Sequence, residues 1–378
     1  MLKTLWISIY RLIVKKMKLI YITRVDICST AAQAIQIRGM CDSFYRILGN
    51  DFALISAGST TKKSAYKWIR INCKLPQTIR YAIACLLASY ICFKEPKSVV
   101  YTRDIAVALT VALLGGKAVY EAHKQPVGKI ASILFMMSTL FSRFNLVTIS
   151  DALSKYYQAN YKKLVKRIFV APLAIDSNSQ TANWKERERI LLHNSKNKKY
   201  VFLHTGSLYK GGAEIFEDII AVNPKEIRIL HVGGTEKEVQ YWNQHYRSRN
   251  IRGIKFIKQK QNAVIRKLQK EADFLLYVTT RKNPIYWCTS PLKIFEYMLS
   301  GSTILGARIG AIKEILNEQN SYCFEPESKD SISLAVQSMI ETPHACLKKA
   351  RKAYEDVIEK YDIDKRSFSI LRAFLYVK

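Results

Sequence analysis

The sequence has no apolar run long enough to cross a bilayer as a helix, which takes roughly 20 residues. The nearest stretches, 81–93 (YAIACLLASYICF) and 130–141 (IASILFMMSTLF), fall short and read as buried or interfacial helices. The N-terminal MLKTLWISIYRLIVKK lacks a small-residue cleavage site, so no signal peptide is expected. It fits a short interfacial helix with Trp6 and Tyr10 at headgroup level. It fits equally well an extension of little consequence ahead of a natural-looking start at Met17. The 8 cysteines are scattered, with no CxxC pair and no Cys/His spacing that suits zinc. Reduced, mostly buried thiols are expected, with no disulfide and no structural metal. Acid is also scarce: 30 Asp and Glu stand against 60 Lys and Arg, for a net charge of +30. That excess favours anionic partners, whether nucleic acid, an acidic membrane surface or a phosphorylated substrate, unless it is a lysine-rich bias spread over solvated faces. With no Arg-rich tract, RNA-binding aromatic motif or Cys/His finger, nucleic acid is the weakest of the three and is not expected as a partner.

What is present is a long alternation of strands and helices. At 378 residues the chain exceeds what one hydrophobic core usually serves. KLIYIT (18–23), a helical pattern over 31–48 and a strand over 52–56 make a βαβ unit, which implies a parallel sheet. The basic stretch 59–70 reads as a loop with one helical turn. Helices follow at 77–93, 105–114 and 127–143, and strands at 98–101, 118–121, 145–149 and 167–170. Ser150 is placed to cap the next helix. Residues 176–197 are polar and read as a linker with one charged helix. A second run of βα units starts with YVFLHT (200–205) and the Gly-rich turn GSLYKGG (206–212), and includes a helix over 309–316. The expected layout is an extension over 1–16, a first domain over 17–176, a linker over 177–198, a second domain over 199–364, and a closing helix over 365–378 that crosses back to the first domain. Both domains read as doubly wound α/β folds. Ligands of such sheets lie beyond the C-terminal ends of the strands, here in a cleft between the domains.

One stretch focuses the chemistry. TSPLKIFEYMLSG (289–301) reads as a loop and a helix opening at Pro291, set between two buried strands. A helix N-terminus at the end of a strand favours an anion, through its N–H groups and its dipole. Glu296, one turn further in, is placed to hold a ribose hydroxyl pair. This points to a nucleotide-diphosphate site.

Taken in order, YTRD, VYEAH, VTIS, APLAID, HTGSLYKGG and SPLKIFEYMLSG resemble the family-4 (group 1) retaining glycosyltransferases of GT-B fold, in the branch with an SPLK loop. The resemblance runs from about Met17 to Asp364. It implies two Rossmann-like domains facing across a cleft. It also implies that Glu296 binds the nucleotide ribose, that Ser290, Pro291 and Leu292 face the diphosphate, and that Lys210 neutralises the leaving group. His123 is implied to contact the donor sugar near the reacting carbon, and the loop 27–33 to shape the acceptor side. Gly206, Ser207, Gly211 and Lys293 complete the donor-side candidates. Arg24, Asp26, Gln33 and Arg103 are the acceptor-side candidates.

Two departures stand out. The family's first glutamate, eight positions before Glu296, is Cys288 here, which reads as a packed thiol. Ser207 stands near the position of the family's usual arginine, leaving Arg281 and Lys293 as sources of a second positive charge. No Asp-x-Asp pair sits at a strand end, so a metal-independent reaction is expected, with retention implied by the family and no cofactor beyond the nucleotide-sugar donor. The leading expectation is a retaining hexosyltransferase-type enzyme acting on a glycan or lipid-linked acceptor in surface polysaccharide or lipopolysaccharide synthesis. It would be cytoplasmic and peripheral on the inner face of the membrane, where anionic lipid attracts Lys and Arg. A non-catalytic partner subunit of the same fold and a sugar-nucleotide epimerase are the alternatives.

Overall fold

The computed structural model describes residues 18–29, 31–59, 64–208 and 212–375, so the extension expected over residues 1–16 lies outside them. The chain divides into two compact units. The first runs to Asp176 and takes up the chain again from Ile363; the second is Ser177–Asp362.

The first unit alternates β1 (Leu19–Asp26), α1 (Ala32–Leu48), β2 (Phe52–Gly58), β3 (Lys67–Asn72), α2 (Gln77–Lys94), β4 (Val99–Thr102), α3 (Ile105–Leu113), β5 (Lys117–Ala122), α4 (Lys129–Thr139), β6 (Phe144–Thr148), α5 (Asp151–Asn160) and β7 (Ile168–Val170). Among the described residues these strands form one parallel sheet in the order β3-β2-β1-β4-β5-β6-β7. β3 corrects the expectation of a loop at 59–70. It is an edge strand hydrogen-bonded only to β2, with Ile71 alone buried, so the hydrophobic pattern that marks interior strands is missing. Trp68 secures it by donating its indole N–H to Ser56 Oγ at 2.9 Å. Ser150 caps α5 as its position predicts, accepting the Leu153 N–H at 3.2 Å.

The second unit holds α6 (Trp184–Lys196), β8 (Tyr200–Thr205), α7 (Ile215–Val222), β9 (Ile227–Val232), α8 (Glu236–Ser248), β10 (Ile254–Ile257), α9 (Asn262–Glu271), β11 (Phe274–Tyr277), α10 (Leu292–Ser300), β12 (Thr303–Ala307), β13 (Tyr322–Phe324), α11 (Lys329–Glu341) and α12 (Pro343–Lys360). Its parallel sheet runs β10-β9-β8-β11-β12-β13. The charged helix expected in the polar stretch is α6, and it is docked in this unit. Its Arg187 is buried and donates to the carbonyls of Lys270, Ala272 and Asp273 at 2.7–3.1 Å. The helix expected over 309–316 is a single tight turn, Gly310–Glu314. Asn320 stops it by donating its side-chain amide to the Ile315 carbonyl at 3.0 Å.

The last helix, α13 (Ile363–Leu375), belongs to the first unit. It packs on α1 and buries Ile370, Leu371 and Phe374 in that unit's core. Polar contacts fix its register. The Ile363 N–H donates to the Ile175 carbonyl at 2.9 Å, and Asp364 accepts from Ser43 at 2.7 Å and pairs with Arg46 at 2.5 Å. Arg366, almost fully buried, reaches Glu121 at 3.1 Å and the Pro172 carbonyl at 2.7 Å.

In each sheet the strand order reverses at one place, β1/β4 in the first and β8/β11 in the second. The crevice beyond the carboxyl ends of such strands is where ligands of doubly wound sheets bind. The Arg366–Glu121 pair lies at the carboxyl end of β5, the strand beside β4. Because a buried charge without its partner is costly, Arg366→Leu should lower the stability of the first unit by about 3–5 kcal/mol. Adding Glu121→Gln should recover part of that loss. Urea denaturation of the single and double variants measures both.

Candidate functional site

In the first unit the site residues gather around Glu121, at the end of β5. Its carboxylate is 2% exposed. It accepts hydrogen bonds from the Tyr101 hydroxyl, from His123 Nε2 at 2.5 Å, from Arg366 at 3.1 Å and from Gln36 at 3.4 Å. Arg103 Nε lies 3.8 Å away. Burial alone would raise the pKa of Glu121, but Arg366, the His123 hydrogen bond and Arg103 overcome it and hold the group well below the usual carboxylate range.

His123 closes a second link. Arg103 Nη2 lies 2.7 Å from its Nδ1. A guanidinium only donates, so Nδ1 is the acceptor and the imidazole proton sits on Nε2, facing Glu121. Burial, then the charge of Arg103, lower the His123 pKa to about 4 against the pull of Glu121. The ring is therefore neutral at physiological pH and engaged at both nitrogens. What it offers a ligand is its partly exposed edge, with the proton held in place.

Arg103 also donates to Gln36 Oε1 at 2.7 Å. Its position before Asp104 leaves two carboxylate partners open, and the structure turns it to the Glu121 cluster. Asp104 instead pairs with Arg24, taking its Nε at 2.9 Å and its main-chain N–H at 3.0 Å. The Arg24 guanidinium lies over the Tyr81 ring, 4.6 Å from its centroid. Asp26 takes the Cys28 N–H at 2.9 Å and shapes the turn after β1. Gln33 lies exposed on α1, whereas Gln36, one turn on, is buried against Arg103 and Glu121.

In the second unit the corresponding place is the turn after β8. Gly206 and Gly233 lie back to back there. A Cβ on Gly233 would come within 2.3 Å of the Gly206 carbonyl oxygen, so position 233 has no room for a larger residue. Lys293, in the first turn of α10, reaches over Gly206; a Cβ there would lie 3.1 Å from its Nζ. Arg281, the other expected cation, pairs at the surface with Glu327 at 2.6 Å. Ser207 is exposed in the turn, while Lys210 and Gly211 lie outside the described residues.

Lys293 is held by a pair of histidines that the sequence reading missed. Its Nζ lies 3.2 Å from His204 Nε2, and His204 Nδ1 lies 2.8 Å from His231 Nδ1. Lysine can only donate, so His204 carries its proton on Nδ1 and passes it toward a bare Nδ1 on His231. Burial, then Lys293 and His231, hold the His204 pKa well below normal. Burial, then Lys293, lower that of His231 to about 3. Both rings are neutral acceptor–donor links anchoring an ammonium group beside a glycine turn. The available signal was positional: each histidine is the penultimate residue of its strand, and the two are direct partners in the β8–β9 register.

α10 presents the rest. Ser290 is buried ahead of it, Pro291 caps it in extended conformation, and Leu292 begins it. The Tyr297 hydroxyl ties the helix to β8, accepting the Thr205 N–H at 2.9 Å. Gln180 donates to the Glu296 main-chain carbonyl at 3.1 Å. The Glu296 side chain is half-buried and accepts no hydrogen bond among the described residues. Burial raises its pKa, with Lys293 and Arg266 pulling the other way. Cys288 is fully buried, its thiol 3.7 Å from the Ile285 carbonyl, and is a packed side chain.

Residues 199–342 match the family model described as "Glycosyl transferases group 1". No curated protein matches the chain in sequence. Among solved structures it is similar to sucrose-phosphate synthase from Thermosynechococcus elongatus, at 11% identity over 95% of this chain and 98% of that one, with a TM-score of 0.74. It is similar to Anabaena HepE in complex with UDP-glucose, at 14% identity over 96% of this chain and 100% of that one, with a TM-score of 0.71. A glycosyltransferase from Rickettsia africae matches at 14% identity over 97% of this chain and 100% of that one, with a TM-score of 0.70. At these identities the likeness is one of fold: two Rossmann-like α/β domains of the GT-B class.

The neutral histidines predict an acid-sensitive fold. The unfolded chain takes up protons near pH 6.5, where the folded chain does not. Their stabilising contribution is thus complete above about pH 6.5 and is lost as the pH falls toward their folded values. Thermal melts from about pH 7 to about pH 5 should show a falling midpoint, with a shallower slope in His231→Asn.

Proposed function

We propose that the protein is a glycosyltransferase that moves a sugar from a nucleotide-diphosphate sugar to a glycan or lipid-linked acceptor. The observation that carries this reading is the cationic, glycine-lined turn of the second unit, where Lys293 is anchored at the N-terminal turn of α10 and Glu296 follows it. A diphosphate leaving group needs preorganised positive charge and donors. Each well-aimed donor of this kind is worth about 10²–10³ in rate. Lys293 and the helix N-terminus supply such a field, and Lys210 is assigned to it as well on the resemblance of its sequence, GSLYKGG. With protein cations in this role, the reaction proceeds without a metal. The half-buried Glu296 carboxylate takes the ribose hydroxyls, which replace the water it loses. Anabaena HepE, bound to UDP-glucose, and a UDP-forming trehalose-phosphate synthase from Burkholderia xenovorans, of the same fold, support a uridine nucleotide as the first donor class to test.

We assign His123 to the donor sugar near the reacting carbon, and Arg103 to the acceptor side. Arg24, Asp26 and Gln33 border the acceptor. We assign retention of configuration, with no enzymatic nucleophile, and a role in surface polysaccharide or lipopolysaccharide synthesis at the inner face of the membrane. The net charge of +30 supports an anionic surface as the site of work. No helix among the described residues is long and apolar enough to cross a membrane.

The test is calorimetry with UDP, GDP and ADP, followed by transfer assays with the nucleotide sugar of the tightest binder. The wild type should bind one nucleotide clearly above the others. Glu296→Ala should weaken that binding about ten- to a hundredfold, the cost of a charged hydrogen-bond acceptor. Equal affinity in both proteins would remove Glu296 from the site. No binding of any nucleotide would overturn the reading. Gly206→Ala, which puts a side chain on a left-handed turn and drives a methyl group against Lys293, should weaken nucleotide binding and also lower the melting temperature.

A further inference from the structure

α2, α3 and α4 pack side by side on one face of the first unit's sheet, and their outward surface is apolar where solvent-facing helices are normally polar. On α2, Ile79, Leu86, Tyr90 and Phe93 are exposed at spacings of 7, 4 and 3, which is a single stripe along the helix; Phe93 is 76% exposed. The buried residues of that helix are small, apart from Ile91. On α4, Ile130, Ile133 and Met137, with Leu140 just past its end, form a second exposed stripe, with Ile130 also 76% exposed. Leu113 and Leu114, at the end of α3 between them, are exposed as well. An apolar surface spread over three adjacent helices exceeds the scattered single hydrophobic residues that every surface carries.

Its charge is one-sided. Between residues 77 and 150 only three acidic residues occur. Asp104 and Glu121 are buried, and Glu95 pairs with Lys18 at 2.5 Å. The exposed charges flanking the two stripes are Lys94 at the end of α2 and Lys97 past it, Lys124 ahead of α4 and Lys129 at its start, and Arg143 beyond its end.

We infer that this three-helix face is the protein's docking surface for an anionic bilayer. The stripes enter the boundary between headgroups and acyl chains, with Tyr90 at headgroup depth, and the basic rim meets the anionic lipid. A second copy of the chain is a poor occupant, because it would set one basic rim against another on two molecules that each carry a net charge of +30. The inference rests on the membrane location proposed above but not on sugar transfer, so its test needs no donor or acceptor.

The test is flotation of the full-length protein with phosphatidylcholine vesicles, with and without phosphatidylglycerol. The wild type should float with the phosphatidylglycerol vesicles, and the bound fraction should drop about tenfold in Leu86→Ser/Phe93→Ser/Ile130→Ser. These side chains face solvent, so the variant's circular dichroism and melting curve should match the wild type. A second variant, Lys94→Gln/Lys97→Gln/Lys129→Gln/Arg143→Gln, leaves the apolar stripes intact and should weaken binding about tenfold at low salt, with a smaller salt dependence. Undiminished flotation of both variants overturns the assignment of this face. So does a wild type that fails to float, or one that forms a dimer abolished by the serine substitutions without vesicle binding.

Discussion

A single buried carboxylate, that of Glu121, holds together the sheet, the returning helix and the candidate site of the first unit. Removed from water, it persists as a charge because Arg366 comes from the far end of the chain and Arg103 lies 3.8 Å away, while Tyr101, His123 and Gln36 fill its remaining hydrogen-bonding capacity. The same contacts that satisfy Glu121 orient His123 and Arg103. The position of α13 and the geometry at the end of β5 are therefore one arrangement. A change in how α13 packs would be felt in the protonation and orientation of a histidine some 240 residues earlier in the chain.

The second unit reaches a comparable end with different residues. There the fixed charge is the Lys293 ammonium, and two neutral histidines brace it. In both units a cation donates to a bare imidazole nitrogen, and burial keeps that nitrogen bare by disfavouring a second proton. An arginine or lysine held this way gives up little conformational freedom when an anion arrives, which is the condition for electrostatic preorganisation. The glycines at 206 and 233 matter for the same reason, since their close approach lets the charge sit against the main chain.

Much of the frame could be read directly from sequence because it is built from local signals. Short apolar runs mark the interior strands, 3.6-residue periodicity marks most helices, and Ser150 and Gly301 mark helix ends. Where the reading failed, the local signal was overridden. Lys67–Asn72 is a strand because β2 offers it an edge, although its own residues are mostly exposed. The turn at 310–314 stays short because Asn320 stops it from outside. On the site, Glu296 and Lys293 stand out through their helix N-terminus, while Gln36, one turn beyond the acceptor-side candidate Gln33, reaches inward to Arg103 and Glu121 because of how α1 rotates against the sheet.

The sequence by itself determined the two runs of βα units, the helix opening at Pro291 and the surplus of positive charge, since each depends on residue types at short range. Only the tertiary structure decided that Arg103 serves Glu121 while Asp104 serves Arg24, that His204 and His231 brace Lys293, and that the apolar stripes of α2 and α4 face outward rather than inward. Those outcomes depend on which groups meet after strands far apart in the chain come side by side, and on which of them are then cut off from water. A hydrophobic stripe has the same spacing on either face of a helix, and a histidine has the same letter whether it is solvated or buried.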